Sequence, residues 1–598
     1  MRAVMLTWAT ALAIALTGVH AAEVPAPTAQ AQALFDDYWQ WLTEAYPDVA
    51  SIYFGDSRYA DRLRDESKEA VQARSAAFKR FLDRAERIDE SRLQPLDRVS
   101  LRVLRYRLDT AVAIVSRHGG LPFGAVFGDT FAPLTSADGF HLLLPALAQA
   151  SSFASVSAYE AWLKRLEQVP ASTAGLIERM QAAIDAGWMP ARAAITGVPE
   201  QLQAYLVDDP AKSPAYRPFL SFPPDFDPSE RRRLEQAGQR IIRERVTPAF
   251  RSLKTFYETR YLPAARENGA LSSLPAGIGY YRAWLEWYTT TDLTPQQIHD
   301  LGLSEVARVG SQMDAVMAET GFKGTRAEFQ KFLTTDPRFF HVKAEDMLAG
   351  YRDIAKRADA ALPQLFAELP RQTYGVRAMA PETGDASEHY TPGADGRPGW
   401  FEANVNNLAT RPKWQMESLL LHEAVPGHHL QSSRQTEIHD LPMFRRYLWF
   451  AGFGEGWALY AESLGYEMGF YKDPYQRFGN LSLEMLRACR LVVDTGLHAF
   501  GWNRQQAIDY LVANTGGTVG NSTAQVDRYL VTPGQAAAYK LGEIQIKALR
   551  AKAKAALGER FDLRRFHNAV IDHGALPLQI LERQIDEWIA SEKAATGR

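Results

Sequence analysis

The sequence predicts a mainly α-helical protein. Long stretches repeat apolar residues at three- and four-residue spacing, the period of one helix face, with alanine, arginine and glutamate at many other positions. Proline interrupts these stretches, as at Pro190 and Pro218. Stretches that alternate with period two, as strands do, are few. In the first half of the chain the helical stretches are 31–46, 67–88, 95–115, 157–187 and 228–261.

The second half shows the same helical periodicity. The pattern resumes at Gln415, and the last stretch ends near Ser591. With 598 residues the chain is longer than one simple core usually accommodates. We therefore predict an N-terminal helical half, 23–270, and a C-terminal catalytic half, 271–598, within one continuous fold. The helical stretches between Gln415 and Ser591 include 441–469, 475–498, 503–514 and 535–557.

One region predicts extended structure just before the helix at Gln415. It consists of 374–379, a loop rich in glycine, aspartate and proline, and 400–406, where apolar and polar residues alternate. We expect a short hairpin or sheet beside that helix. An extended peptide could pair with such a strand through main-chain hydrogen bonds, with Asn404 as a substrate contact. The alternative is an ordinary strand that packs under the helix.

Composition argues against several classes of protein. Hydrophobic residues make up 46% of the chain and charged residues 23%, which is ordinary for a globular protein in water. The net charge is −3 and no run of five like charges occurs, so we expect no nucleic-acid partner. The single cysteine, Cys489, stands among leucines and valines and is expected to be a small core residue.

The N-terminus has the features of a secretory signal peptide. Arg2 precedes an apolar run at 4–16, and small residues near Ala21 and Ala22 offer a cleavage site. We predict a signal peptide at 1–22 and a periplasmic or secreted mature protein, with an uncleaved anchor as the alternative. The cleavage region contains no cysteine, so a lipid anchor is not expected. No later stretch has 18 consecutive apolar residues, so no membrane association is expected after cleavage.

Residues 422–429, His-Glu-Ala-Val-Pro-Gly-His-His, give the strongest indication of chemistry. They hold three of the 13 histidines next to a glutamate. Neutral imidazoles bind zinc, and a neighbouring carboxylate can act as general base toward water at the ion. In the common H-E-x-x-H motif the second histidine lies at i+4 on the same helix face. Pro426 occupies that position here, and the next histidines are at i+6 and i+7.

Pro426 and Gly427 predict a kink or bulge at this point. Proline has no N–H to bond the carbonyl of His422, and glycine tolerates unusual dihedral angles. Such a distortion could absorb two extra residues and return His428 to the face of His422. His428 is then the second metal ligand and His429 supports it, although the opposite bend would exchange them. The alternative is a helix end with surface histidines.

A third metal ligand is expected from a downstream helix, since catalytic zinc usually has three protein ligands and one open position. The segment 452–462 carries Glu455 between glycines and Glu462 seven residues later, on the same helix face. We predict Glu455 as the ligand and Glu462 as a residue that orients a ligand. The alternative is that Glu455 is a solvated surface residue.

Arg490, Asp494 and His498 form a stripe at i, i+4 and i+8 of an apolar helix. Buried charges need partners, so this stripe could hold a substrate carboxylate or a transition-state oxyanion, with Asp494 in a supporting position. The alternative is a ladder of structural ion pairs.

A last segment, 527–542, contains a Pro-Gly turn followed by a helix. A tyrosine hydroxyl or an arginine aimed at the metal could stabilise the oxyanion of a tetrahedral intermediate. The candidates are Arg528, Tyr529 and Tyr539.

Together these segments resemble a large bacterial family of unknown function, number 885. The resemblance extends over nearly the whole mature chain, in matching order and spacing. Its pieces are 280–306, beginning Y-Y-R-A-W-L-E-W-Y, H-E-A-V-P-G-H-H-L-Q at 422–431, E-G-W-A-L-Y-A-E at 455–462, R-L-V-V-D-T-G-L-H-A-F-G-W at 490–502 and P-G-Q-A-A-A-Y-K-L-G at 533–542.

The resemblance implies a helical fold similar to carboxypeptidase Taq, thimet oligopeptidase and angiotensin-converting enzyme, which are helical clamshells with a deep channel and one zinc. By that similarity His422, His428 and Glu455 would bind the ion, and Glu423 would be the general base.

The sequence therefore predicts a zinc metallopeptidase of oligopeptidase or carboxypeptidase type that acts on short peptides. Glu423 activates water, and His498, Tyr529 or Tyr539 stabilises the oxyanion. Arg490 or Arg528 could bind a C-terminal carboxylate through a bidentate contact. Two alternatives are a peptide- or solute-binding protein that has lost catalysis and a zinc hydrolase of other amides or esters. The oligomeric state is left open.

Overall fold

The computed structural model describes residues 26–380, 387–393 and 397–595. The predicted signal peptide at 1–22 lies outside the described residues. Helices dominate the described part of the chain, and its three strands form one small sheet. The predicted mainly α-helical fold is confirmed. None of the described helices is both long and apolar enough to cross a membrane.

All five stretches predicted for the first half are helical, and four further α-helices in the described part of the chain lie outside them. The α-helices of the first half are α1 Ala26–Ala45, α2 Pro47–Tyr53, α3 Lys68–Glu86, α4 Pro95–Ser116, α5 Phe140–Ala150, α6 Val156–Ala186, α7 Arg192–Ile195, α8 Val198–Gln203, α9 Pro228–Ile241 and α10 Thr247–Phe256. Of these, α2, α5, α7 and α8 lie outside the predicted stretches. π-Helical turns at Ile242–Val246 and Tyr257–Tyr261 extend α9 and α10, so the stretch 228–261 is helical throughout.

The second half continues with longer helices. They are α11 Gly277–Thr289, α12 Pro295–Glu319, α13 Arg326–Thr335, α14 Ala344–Leu365, α15 Met416–Glu423, α16 His428–Glu437, α17 Met443–Arg446, α18 Ala451–Leu464, α19 Pro474–His498, α20 Arg504–Thr515, α21 Val519–Val531, α22 Gln535–Leu557, α23 Leu563–Ile571 and α24 Leu578–Ala594. The stretch 441–469, predicted as one helix, is divided into α17 and α18.

Local capping signals start several of these helices. The residues before α12, α19 and α20 are Thr294, Asp473 and Asn503. The side chain of each accepts a backbone N–H of the first helical turn, and the side chain of a glutamine three residues on accepts the backbone N–H of the cap residue. These capping boxes satisfy main-chain N–H groups that have no partner inside the helix. The start of each helix is thus encoded locally.

Of the predicted hairpin or small sheet, the structure has the small sheet, with three strands. β1 (Tyr374–Ala378) pairs in parallel with β3 (Gly399–Ala403), and β2 (His389–Thr391) pairs antiparallel with the other side of β3. Because parallel strands need a crossover connection, the first and third strands cannot form a tight hairpin. The connection instead supplies β2, which lies next to α15.

The long helix α19 forms the centre of the second half. It packs against α12, α20 and α22, and its residues 487–498 are all buried. Cys489 is among them, and burial raises the pKa of its thiol to about 12, as suits an inert core residue.

Two glycines let α18 and α22 cross at very short distance. A Cβ on Gly456 would lie 2.4 Å from the Cα of Gly542, and a Cβ on Gly542 would lie 1.9 Å from the carbonyl oxygen of Gly452. No side chain fits at this crossing. It fixes Glu455, the neighbour of Gly456, relative to α22.

Candidate functional site

The predicted distortion after His422 is a complete break between two helices. α15 ends at Glu423 and α16 begins at His428, with a cis peptide bond between Val425 and Pro426. A Cβ on Gly427 would lie 1.9 Å from the carbonyl oxygen of His422, so only glycine allows the chain to pass here. The turn places the rings of His422 and His428 at 4.8 Å between centroids and 84° to one another.

Glu455 of α18 completes a triangle with these two histidines. Its Oε2 lies 3.7 Å from Nε2 of His422 and 3.3 Å from Nε2 of His428. Donors about 2.0–2.2 Å from a tetrahedral ion lie about 3.3–3.6 Å from one another. Both distances from Oε2 of Glu455 are close to the spacing of ligands around a zinc-sized ion.

Glu423 lies at the edge of the same group. His422, Glu423 and His428 each offer a donor atom, and the three atoms lie within 4.8 Å of one another. Its Oε2 also accepts the backbone N–H of Tyr390 in β2, at 3.0 Å. Two carboxylates thus face the histidines. Glu455 remains the predicted ligand: one of its oxygens is near both Nε2 atoms, while Glu423 is held by β2.

Glu462 orients His422 from behind. Nδ1–H of His422 donates to Oε1 of Glu462 at 2.8 Å, and the Ser418 hydroxyl donates to Oε2 at 2.5 Å. Asn480 donates to that hydroxyl at 3.1 Å. A bond at Nδ1 fixes the tautomer that leaves Nε2 free to bind a metal. Glu462 thus contacts His422, and its role in orienting a metal ligand stays a prediction.

His422 and Glu455 have strongly shifted pKa values. Burial alone would lower the pKa of His422, but the nearby carboxylates of Glu455 and Glu462 raise it to about 10. Burial would likewise raise the pKa of Glu455, whereas the nearby imidazoles of His422 and His428 hold it well below its usual range. Paired carboxylates around imidazoles favour a positive charge at this point.

His429 turns away from the group. The Tyr390 hydroxyl donates to its Nδ1 at 2.9 Å, and its Nε2–H donates to the carbonyl of Gln372 at 3.1 Å. Burial lowers its pKa to about 4, so it stays neutral. His429 is therefore not placed as a ligand. It holds Tyr390, whose N–H in turn bonds Glu423.

Tyr539, Arg490 and Arg528 lie on the other side of His422 and form a positively charged wall of the cavity. The ring of Tyr539 lies 6.4 Å from that of His422 and nearly parallel to it, at 14°. The guanidinium of Arg490 lies 4.4 Å from the Tyr539 ring centre, and Arg528 donates to the Tyr539 hydroxyl at 3.2 Å. All three side chains line the cavity that contains the histidines.

Asp494 and His498 do not extend this wall, although they share the stripe with Arg490. Asp494 accepts the Tyr281 hydroxyl at 2.5 Å and the N–H of Gly534 at 3.0 Å, and Nε2–H of His498 donates to the carbonyl of Tyr529 at 2.9 Å. Neither residue lines the cavity. Asp494 and His498 therefore hold the chain before α22 in place, and of the three residues in the stripe only Arg490 lines the cavity.

The positions of Tyr529 and Asn404 also differ from those that their predicted roles require. The Tyr529 hydroxyl accepts Nε–H of Arg490 at 3.1 Å, so it positions that arginine from within the core. Asn404 is fully buried, and its Oδ1 accepts the N–H of Asn406 at 2.9 Å, because β3 ends at Ala403 and the chain turns there. Neither residue lines the cavity, so neither is placed to touch a substrate.

The cavity is large and lies between the two halves of the chain. Its volume is about 2330 Å³, well above the roughly 300–1,000 Å³ of an ordinary small-molecule site. Trp39 and Phe127 of the first half and Glu423, Trp449 and Tyr539 of the second half are among the residues that line it. Both halves are needed to form it.

Three residues of the site were not predicted from the sequence. Ser418 lies four residues before His422 and on its helix face, so helical spacing could have identified it. Tyr390 reaches Glu423 through a strand that follows an irregular loop, and no local pattern indicates that contact. Trp449, whose ring lies 5.7 Å from that of His428, belongs to the unexpected break before α18.

Comparison with known proteins shows the family to which the chain belongs. A family model described as bacterial protein of unknown function, DUF885, matches residues 48–585. The chain belongs to this family. No curated protein matches this DUF885 member.

Two solved structures are similar to this DUF885 protein. The crystal structure of a "putative lipoprotein" from Colwellia psychrerythraea is 27% identical, with a TM-score of 0.89, and 95% of this chain and 100% of that chain are covered. A protein of unknown function from Shewanella oneidensis, described in the same words, is 17% identical, with a TM-score of 0.66 and coverage of 94% and 99%. The second likeness concerns the fold alone, and neither description names an activity.

Proposed function

We propose that this DUF885 protein is an exported, zinc-dependent peptidase that hydrolyses short peptides. One observation carries the proposal. A single oxygen of Glu455 lies within 3.7 Å of Nε2 of His422 and 3.3 Å of Nε2 of His428, with Glu423 beside them in a large cavity. The likeness to helical zinc peptidases rests on the sequence resemblance and on this arrangement.

The donor set fits zinc. Two imidazoles and one carboxylate are a common set of protein ligands at catalytic zinc, and they leave one position open. His422 offers Nε2 because Glu462 occupies its Nδ1. An ion at this point would act as a Lewis acid, polarising a carbonyl group and making water nucleophilic at neutral pH.

In the proposed reaction Glu423 moves the proton. It takes one proton from the attacking water as the new carbon–oxygen bond forms, and gives it to the leaving nitrogen as the carbon–nitrogen bond breaks. The N–H of Tyr390 holds one carboxylate oxygen of Glu423 at 3.0 Å, which leaves the other oxygen for this work.

Tyr539 is the best donor to the oxygen of the attacked carbonyl. Its hydroxyl accepts bonds from Arg528 at 3.2 Å and Gln535 at 3.5 Å, and both partners are donors. The hydroxyl proton therefore remains for a substrate, and its ring faces that of His422. A donor aimed at developing negative charge contributes strongly in a site that excludes bulk water.

The cavity walls suit a peptide. Tyr53, Phe127 and Trp449 line it and are 70%, 41% and 42% exposed, although large apolar side chains are usually buried. Such surfaces accept apolar side chains of a substrate. Phe127 holds a positive φ of 50°, so its placement is conformationally costly.

The proposal is tested on purified mature protein by zinc content and by cleavage of a mixed peptide library. We expect about one zinc per chain in the wild type and loss of zinc and cleavage together in His422→Ala and Glu455→Ala. Glu423→Gln should keep zinc and lose about 10²–10⁴-fold in turnover. His439→Ala, an exposed histidine near the same helix, is the matched control and should behave as the wild type.

Absence of cleavage by the wild type, with zinc present, would overturn the peptidase proposal. Full activity in Glu423→Gln would overturn the role of Glu423.

A further inference from the structure

Arg490 is a buried cation without an anionic partner. It is only 5% exposed, and its Nε and Nη2 donate to two neutral groups, the Tyr529 hydroxyl at 3.1 Å and Oε1 of Gln525 at 3.0 Å. Among the described residues its Nη1 has no hydrogen-bond partner, and no carboxylate oxygen comes within 4.0 Å of the guanidinium. The negative charge of Glu455 acts on Arg490 from beyond this distance. A buried charge without a carboxylate in contact is costly, so the site favours an anion from outside.

The other arginines buried in the described part of the chain either have a carboxylate within 4.0 Å or do not line the cavity. Arg64 pairs with Asp48 at 3.3 Å and with Glu66 at 3.2 Å. Arg165 and Arg445 lack a carboxylate, but they donate to backbone carbonyls and do not line the cavity. Arg490 combines burial, a free donor and a place on the cavity wall.

The guanidinium of Arg490 favours a carboxylate as the anion that it binds. A guanidinium presents parallel N–H donors that match the two oxygens of a carboxylate. The neighbouring Arg528 donates to Gln535 and Tyr539 and, among the described residues, also has no carboxylate oxygen within 4.0 Å, so this side of the cavity is positively charged.

The distance to the metal ligands limits the substrate. Because the Tyr539 ring centre lies 6.4 Å from that of His422 and 4.4 Å from the guanidinium carbon of Arg490, the guanidinium lies at most about 11 Å from the imidazole, a span covered by about three extended residues. A carboxylate bound here belongs to a residue shortly after the bond that is cut.

We propose that Arg490 binds the C-terminal carboxylate of the substrate, so that the protein removes one to three residues from the C-terminus of a peptide. This inference rests on the proposed peptidase function. Water adds across the peptide bond, and the released fragment carries the new amine and the carboxylate held by Arg490.

The first test compares tetra-alanine with tetra-alanine amide, which lacks the terminal negative charge. For the wild type with zinc, we expect kcat/KM to be about 30-fold or more higher for the free acid, as expected for loss of one partner of a buried charge pair. Arg490→Gln should bring the ratio of kcat/KM for the acid to kcat/KM for the amide close to one, whatever the change in the absolute rates. Arg477→Gln, in the same helix but away from the cavity, is the matched control.

A binding measurement separates this inference from the proposed function. Calorimetric titration of both peptides into Glu423→Gln reports affinity without turnover, and there we expect the same preference of about 30-fold for the acid. Equal cleavage and binding of acid and amide by proteins with Arg490 intact would overturn the carboxylate site while leaving the peptidase in place. If neither peptide is cleaved but the acid binds better, the carboxylate site stands and the peptidase fails.

Discussion

At the scale of single residues, polar groups near the site divide into those that face the cavity and those that support them. His422, His428 and Glu455 face one point, while Glu462 orients His422 from behind. Asp494 is a supporting residue. It accepts the N–H of Gly534 and so holds the turn that leads into α22 and Tyr539.

Asp494 predicts a pH dependence of stability. Burial raises its pKa from 3.8 to about 7, although bonds from Tyr281 and Gly534 oppose the shift. The folded protein therefore holds this proton more tightly than the unfolded chain. The resulting stability is fully present below pH 3.8 and is lost as the pH rises through about 7, a difference of about 4 kcal/mol.

The measurement is the free energy of urea unfolding at pH 5 and pH 8. Asp494→Asn keeps an oxygen for both bonds and cannot ionise, so we expect a smaller loss of stability between these pH values than in the wild type. Asp300→Asn, an aspartate on the surface of α12, controls for removal of one charge. A wild-type pH slope in Asp494→Asn would contradict the prediction.

At the scale of elements, the site depends on how three helices meet. α15 and α16 are joined by a turn that only Gly427 allows, and α18 brings Glu455 against them because it lies in close contact with α22. The sequence predicts helices in these places. It does not indicate the break at 447–450 or the strand β2, since both depend on contacts far away along the chain.

The glycine crossing of α18 and α22 gives a second prediction. Gly456→Ala would place a methyl group 2.4 Å from the Cα of Gly542, so the helices must separate. We expect a loss of about 1–3 kcal/mol in unfolding free energy, with weaker zinc binding because Glu455 moves with α18.

The control is Gly520→Ala, where nothing lies within 4 Å of the added methyl. Urea unfolding and zinc titration of both variants check the prediction. Equal stability of the two variants would contradict it.

At the scale of the whole molecule, the site joins parts of the chain that are distant in sequence. The metal-ligand candidates come from three helices, and residues of both halves line the cavity above them. A ligand that binds only this arrangement stabilises the folded state as a whole.

Zinc should therefore stabilise the protein against unfolding. At a free zinc concentration about 100 times the dissociation constant, we expect the unfolding free energy to rise by about 2.7 kcal/mol. Urea unfolding with zinc and with a chelator measures the difference. His439→Ala should show the full increase and His422→Ala none, and an equal increase in both would place the zinc elsewhere.

The sequence by itself determined the helical fold and the chemical groups of the site. Apolar periodicity and capping residues are local properties, so most helices end near their predicted positions, and the spacing of His422, Glu423, Glu455 and Glu462 already indicated a metal-binding group. Only the tertiary structure decided which histidine faces Glu455, because the turn at Gly427 depends on close packing against His422. It also decided that Arg490 faces the cavity while Asp494, His498 and Tyr529 are enclosed in the core. Helical spacing places residues on one face, but the neighbouring helices determine which part of that face is covered.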